Sequence, residues 1–295
     1  MQEQESKRSL ITGGRGFIGG QLGSRLEQMG HDVDYFDLLD GKDVTDRELV
    51  LKEIGKQRYD VIFHLAGRLG TEELNDQAHE ATRVNVLGAV NIFDAAKKNG
   101  ARVVLVSKPN PWLNTYSITK GAAEQFARMY TKIHNVDIRV GQFYSIYGPG
   151  QDIHGVQKAV PTFIARALQN DPIPVFGDGE QTADFIYTSD ASEAMAVLGH
   201  LEGLAGEVVE IGSGTPTKIN FLAETIIRLS DSRSKIEYLP MRKGEPEGSQ
   251  ISANTSKMIT LLQFNPSVAL EDGLRETIAW WKNIKLGKST FVSAP

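Results

Sequence analysis

The stretch Thr12-Gly-Gly-Arg-Gly-Phe-Ile-Gly19 decides the fold. It follows the apolar run Ser9-Leu-Ile-Thr12 and opens a helical pattern that runs from Phe17 to Met29. Between a strand and a helix, each glycine has a task. Gly13 allows a tight turn, Gly16 lets backbone approach a pyrophosphate, and Gly19 lets the helix pack close on the strand. Free N–H groups in the turn that starts with Phe17 and Ile18 carry partial positive charge toward such a ligand. A glycine-rich turn without a ligand has the same local form, so the motif alone leaves both readings open. Asp37 separates them. It lies 18 residues past Gly19, closing a second strand pattern at residues 31–37. A carboxylate there accepts hydrogen bonds from ribose hydroxyls and repels a 2′-phosphate, so NAD is expected rather than NADP. Leu38 and Val44 belong to the same expected adenosine pocket. Asp43 either reaches the adenine edge or caps the loop near Thr45.

Working outward, short apolar runs alternate with helical patterns through the first half, as βαβ units require. Strands are expected at residues 61–65, 102–106 and 136–140, and helices at 84–98 and 116–133. The fold class is α/β: a Rossmann-type doubly wound parallel sheet over residues 1–150. After Gly148-Pro149-Gly150 the loops become rich in Gly and Pro. Residues 151–295 are expected to form a smaller, partly interleaved substrate-binding region, with some segments returning to the sheet. Ligands of open α/β sheets bind at the C-terminal ends of the strands, which such a region would cover.

Composition bounds the rest. The chain has 295 residues, 40% of them hydrophobic, and a net charge of -5, which gives no reason to expect a nucleic-acid partner. It holds no cysteine, which excludes disulfides, thiolate metal sites and a cysteine nucleophile. No metal-ligand pattern stands out. The polar start at residues 1–9 lacks a secretory apolar stretch, and no run is apolar enough to span a bilayer. A cytoplasmic protein with no membrane partner is the expectation.

Several further motifs, taken in order, resemble the extended short-chain dehydrogenase/reductases, the branch containing nucleotide-sugar epimerases and dehydratases. They are the 12–19 stretch, His64-Leu-Ala-Gly67, Asn85 with Asn91, Tyr116-Ser-Ile-Thr-Lys120, Tyr147-Gly-Pro-Gly150 and Phe176-Gly-Asp-Gly-Glu-Gln-Thr182. A C-terminal segment from Glu271-Asp-Gly-Leu274 to Trp280-Trp281 also fits. Tyr116 and Lys120 are four apart and share a helix face. A free tyrosine ionises at roughly 10, and a neighbouring ammonium and a positive nicotinamide favour its phenolate. The resemblance implies that Tyr116 exchanges a proton with a sugar hydroxyl and that Lys120 holds the nicotinamide ribose. It implies that Leu65, Ala66 and Gly67 let NAD pass close to the sheet, with Arg68, Val106, Ser107 and Tyr144 beside it. Asn85 orders that neighbourhood or starts a helix. Ser145, Val160, Phe176, Gln181 and Arg242 fall at the substrate, expected to be a nucleotide-sugar. A homodimer through the 85–98 and 116–133 helices is implied as well.

Three departures from the family pattern stand out. Lys108 occupies the position of a catalytic serine or threonine, with Ser107 matching the hydroxyl before it. Ser107, Thr115, Ser117 or Lys108 itself would have to serve the reacting oxygen. The connection from Lys108 to Asn114 is short, which implies a more open cleft or one closed by another segment or subunit; Trp112 either partly fills the gap or is an apolar plug under a loop. The phosphate-binding positions hold Gln142, Ser145 and Ala183 where relatives carry Arg, Asn and Arg. Lys158, Arg166, Lys218, Arg242 and Lys243 are the candidate replacements. The resulting expectation is epimerisation by transient oxidation at a sugar carbon, C4 first. Pro109-Asn110 in place of an Asp-Glu pair disfavours one dehydration mechanism; decarboxylation, reduction and a non-catalytic NAD-binding module remain alternatives.

Overall fold

The computed structural model describes residues 6–109, 112–153 and 155–286. Asn110 and Pro111, within the short connection after Lys108, lie outside the described residues, as does the polar start at 1–5. The chain alternates from the beginning: β1 (Arg8–Thr12), α1 (Phe17–Gln28), β2 (Asp32–Phe36), α2 (Arg47–Ile54) and β3 (Val61–His64). Next come α3 (Ala78–Thr82), α4 (Gly88–Asn99), β4 (Arg102–Ser107), α5 (Thr115–His134), β5 (Ile138–Phe143) and β6 (Ser145–Tyr147). The remainder is α6 (Ala159–Ala167), β7 (Ile173–Phe176), β8 (Thr182–Tyr187), α7 (Thr188–His200), β9 (Val208–Ile211), β10 (Pro216–Lys218), α8 (Ile219–Ser230), β11 (Ile236–Leu239), α9 (Ser256–Leu261) and α10 (Leu270–Leu286).

Six strands form one parallel sheet in the order β2-β1-β3-β4-β5-β9. The central strands read as unbroken apolar runs because helices cover both faces. Alternate residues of each strand therefore enter different cores. Leu10, Ile62 and Val103 pack with Phe93 under α2, α4 and α5. Ile11, Phe63 and Val104 pack with Leu22 and Met195 under α1 and α7. A third core, around Phe163, Ile164, Ile173 and Leu222, supports the small sheets β10-β8-β6 and β11-β7. Asp184 on β8 is fully buried, and its carboxylate accepts from the N–H groups of Ser213, Gly214 and Ala253 and the Ser213 hydroxyl. That carboxylate ties β8 to the chain leaving β9.

Helix limits follow their capping residues. Asn114 caps α5 through the Ser117 N–H at 2.9 Å, and left-handed Asn135 ends it. Gly100, at φ 77°, ends α4. The helix expected over 84–98 differs at its start. Residues Arg83–Leu87 form a π-helical turn between α3 and α4. Its physical reason is Asn85, whose side chain is drawn inward and hydrogen-bonded.

The chain runs from β1 outward to β2, then crosses back to β3 and continues the other way. This strand-order reversal opens a crevice beyond the C-terminal ends of β1 and β3, where ligands of open α/β sheets bind.

Candidate active site

The crevice floor is built by glycine. Gly13 has φ 69°, and a Cβ there would stand 2.8 Å from the Ala66 nitrogen. A Cβ on Gly19 would meet the Gly13 carbonyl oxygen at 2.4 Å. No larger residue fits either position, so the turn, the start of α1 and the end of β3 close on one another through backbone alone. Thr12 pins the same junction: its carbonyl accepts from the Leu65 N–H at 3.1 Å and its hydroxyl from the Ala66 N–H at 3.2 Å. The hydroxyl also meets Nδ1 of buried His64 at 2.7 Å. Phe17 and Ile18 begin α1, and Phe17 lies beneath the 148–150 loop. A flat floor with free helix N–H groups at its edge fits a dinucleotide pyrophosphate.

Asp37 follows β2 and is nearly buried. One carboxylate oxygen accepts from the Arg15 N–H and the other from the Leu39 N–H, both at 2.9 Å. Leu38 beside it is exposed. Asp43 caps the Thr45 N–H at 2.8 Å and stands 3.8 Å from Arg83. Val44 is buried, with its carbonyl held by Asn91.

On the other side of the crevice, Asn85 accepts from the Arg68 N–H at 2.7 Å, and its Nδ2 donates to the Arg68 carbonyl and to Thr119. A Cβ on Gly67 would meet Asn85 Oδ1 at 3.0 Å and Lys120 Nζ at 3.5 Å. The Arg68 guanidinium itself turns outward to Gln77.

Lys120 is buried on α5 and donates to the Val106 carbonyl at 2.8 Å. This bond locates its ammonium where β3 and β4 end. Burial pushes that ammonium down to about 8, partly offset by the Glu124 carboxylate one turn on. Burial pushes the Tyr116 phenol up to about 12. In the protein alone burial thus outweighs the neighbouring ammonium groups, and a further positive charge is needed to bring the phenol down. Glu124 is itself buried and accepts two hydrogen bonds from Gln142. Gln142, a departure from the family's arginine, therefore faces Glu124.

Lys108 ends the fourth strand region half-buried. Its Nζ donates to Ser117 Oγ at 2.9 Å and stands 4.8 Å from the Trp112 ring centre and 5.3 Å from that of Tyr116. The Ser107 hydroxyl is buried without a partner. Tyr144 donates instead to Glu210, at 2.5 Å.

A second concavity lies at the cap, lined by Lys158, Phe163, Phe176, Gln181, Arg242 and Glu245 among others. Arg242 stacks over Phe176 at 5.2 Å and pairs with Glu245. Phe176, Gln181 and Arg242 are thus brought together in one concavity, with Lys158 beside them. Val160 is buried in the third core and does not line this concavity, and Ser145 is exposed on β6. Arg166 and Lys218 face Asp171 and Glu180. Sequence reasoning did not single out Glu245 as a site residue; no spacing signal marks an acid on a loop that reaches the concavity only through the fold.

A dinucleotide floor at the switch point of a parallel sheet, faced by a tyrosine and a lysine one helical turn apart, defines an NAD-dependent enzyme of the short-chain dehydrogenase/reductase type. The chain belongs to the NAD dependent epimerase/dehydratase family, whose model matches residues 9–212. It is 33% identical to a UDP-N-acetyl-alpha-D-glucosaminuronate decarboxylase from Bacillus cytotoxicus, over 95% of this chain and 99% of that protein. It is 29% identical to a UDP-glucuronate 4-epimerase from Thermodesulfobacterium geofontis, over 95% and 98%. An epimerase structure from Methanothermobacter thermautotrophicus superposes with a TM-score of 0.89 at 25% identity, over 95% of this chain and 94% of that one. Among the described residues no helix is long and apolar enough to cross a membrane, and no cluster of three metal-ligating side chains occurs.

Proposed function

We propose that this protein epimerises a nucleotide-sugar by transient oxidation at a sugar carbon, C4 first, followed by return of the hydride to the opposite face. The observation that carries the reading is the placement of Lys120, whose ammonium is fixed on the Val106 carbonyl and against Gly67, one turn from Tyr116 at the same crevice. The residues that would hold NAD are Gly13, Gly16 and Gly19 with the first turn of α1 at the pyrophosphate, Asp37 at the adenosine ribose, and Lys120 at the nicotinamide ribose. When bound, NAD supplies the hydride acceptor and, in the reverse step, the hydride donor.

The chain's own residues handle the proton. Tyr116 takes it from the sugar hydroxyl as the carbon loses hydride, and returns it to the same oxygen when hydride comes back. Lys120 and the cofactor's positive ring offset the burial that raises the phenol. Phe176, Gln181, Lys158 and Arg242 would receive the nucleotide and its phosphates, taking over from the family arginines replaced by Gln142 and Ala183. The exposed apolar residues Leu87, Ile118, Phe126 and Ile133 support a homodimer through α4 and α5.

A second reading is decarboxylation of a nucleotide-hexuronate after the same oxidation. Similarity to the Bacillus cytotoxicus decarboxylase over nearly the whole chain favours it. Both readings are tested by incubating the protein and NAD with UDP-, dTDP-, GDP- and CDP-sugars, including hexuronates, and separating products by chromatography and mass. Epimerisation gives an isomer of unchanged mass, and decarboxylation a product lighter by CO2. A complete absence of change across the panel contradicts both.

A further inference from the structure

Lys108 makes no ion pair among the described residues, yet it is half-buried beside Tyr116. Its ammonium donates one hydrogen bond, to Ser117, and has two further protons, while the faces of Trp112 and Tyr116 flank it. The neighbouring hydroxyls are not free to take its place. Ser117 is engaged by Lys108 itself, and Ser107 is sealed inside the protein. A half-buried ammonium with no carboxylate in ion-pair contact costs free energy, Glu245 being taken by Arg242, so its retention beside Tyr116 asks for an anionic or electron-rich partner there.

We propose that Lys108 is a catalytic residue that donates to the reacting sugar oxygen, replacing a neutral hydroxyl with a cation that stabilises the negative charge shared between that oxygen and Tyr116. This rests on the proposed oxidation at the sugar carbon. As the C–H bond breaks, its hydride would be taken up by the NAD held in the crevice, the O–H proton passes to the Tyr116 oxygen, and the carbonyl forms. Lys108 keeps its own protons throughout; it supplies a hydrogen bond and a charge, not a proton. The return step reverses each transfer, so atoms and electrons balance.

The charged and titratable groups facing Lys108 are Tyr116 on α5, Lys158 at the start of α6 and Glu245 on the 242–245 loop. Burial and Lys158 together bring the ammonium down to about 8, with Glu245 opposing them. An enzyme that needs this ammonium protonated therefore loses activity as pH rises through that value. A hydroxyl at the same position has no such limit.

The test compares wild type with Lys108→Met, Lys108→Ser and Tyr116→Phe. Lys108→Met should lower kcat about 100-fold or more with little change in KM, as removal of one oxyanion donor does. Lys108→Ser should recover part of that loss, and its alkaline limb near pH 8 should keep only the ionisation of Lys120 and fall less steeply than that of wild type. A measurement without substrate runs beside these: tyrosinate absorbance of the NAD-bound protein, where the positive ring brings the phenol down toward the range in which Lys108 is charged, with Tyr116→Phe identifying the signal of Tyr116. Lys108→Met should move that titration to higher pH. Unchanged tyrosinate titration in Lys108→Met overturns the proposal, whatever the substrate panel shows. So does a Lys108→Met enzyme of normal kcat whose KM rises only for sugars carrying a carboxylate, which would make Lys108 a reader of that carboxylate. Failure of wild type to change any nucleotide-sugar would instead overturn the proposed function, leaving the tyrosinate result to decide on Lys108.

Discussion

The side-chain amide of Asn85 closes on both backbone groups of Arg68, accepting from its N–H at 2.7 Å and donating to its carbonyl at 2.9 Å. One side chain thereby replaces the strand partners this segment loses where β3 ends. It also sets the height of Gly67 beneath Lys120. Replacing Asn85 with Ala leaves two backbone groups and Thr119 without that partner, a loss of about 1–3 kcal/mol. Urea unfolding should show that loss, and calorimetric titration should show weaker NAD binding. Asn85→Asp, which keeps the acceptor and loses the donor, should fall between wild type and Ala.

Asp37 should set cofactor choice. Its two oxygens already hold the turn through Arg15 and Leu39, which leaves further lone pairs for ribose hydroxyls. Asp37→Ala should weaken NAD about tenfold or more and narrow the preference for NAD over NADP by a similar factor. Fluorescence titration with both cofactors measures the ratio. An unchanged ratio would separate Asp37 from the adenosine ribose.

Gly19→Ala places a methyl 2.4 Å from a backbone oxygen, where no flexible side chain can give way. The helix must shift from the turn, at a cost of about 1–3 kcal/mol. Thermal unfolding should register this as a lower Tm. NAD affinity should fall more steeply than stability, because the same shift spoils the pyrophosphate floor. Gly100→Ala is the contrasting case: a Cβ there meets nothing within 4 Å, although φ is 77°. It should cost stability without touching NAD binding.

Acid should destabilise the protein through His64. Burial holds its folded-state value down to about 3, with the Lys120 charge adding to the effect. An unfolded histidine titrates at roughly 6.5. Between those values the unfolded chain binds more protons, so this stability is full above roughly pH 6.5 and falls as pH drops through the window. The slope from this group is at most about 1.4 kcal/mol per pH unit. Unfolding free energies from pH 7 to 4 should be less steep in His64→Phe than in wild type.

Much of the fold was legible because the sheet is buried on both faces. Runs such as Val61-Ile-Phe-His64 and Arg102-Val-Val-Leu-Val106 have no amphipathic alternative once two helical layers cover them. The glycine turn was legible because positions 13 and 19 exclude a side chain for reasons that belong to the turn itself. The start of α4 was not. A helical period over 84–98 takes no account of Asn85 leaving the periodic face to bond Arg68, and that non-local bond is what makes the π turn. The concavity at the cap was legible only in part, through motif resemblance. Phe176 ends β7 and Gln181 follows five residues on in the same stretch, whereas Arg242 joins them from a distant loop only through the fold, and no local pattern marks Val160 as part of the core beneath. The charge state of the tyrosine was half legible: spacing places Lys120 near it, but the burial that raises the phenol arises from packing.

In the proposed reaction the hydrogen lost from the sugar carbon would return to that same carbon without exchange with water, while Tyr116 handles only the oxygen proton. The most direct measurement uses a nucleotide-sugar substrate carrying deuterium at C4, turned over in ordinary water, with the product read by mass and NMR. The product should retain deuterium at C4, and Tyr116→Phe should slow its formation about 100-fold or more. A product with solvent hydrogen at C4, formed equally well by Tyr116→Phe, would contradict the proposed reaction.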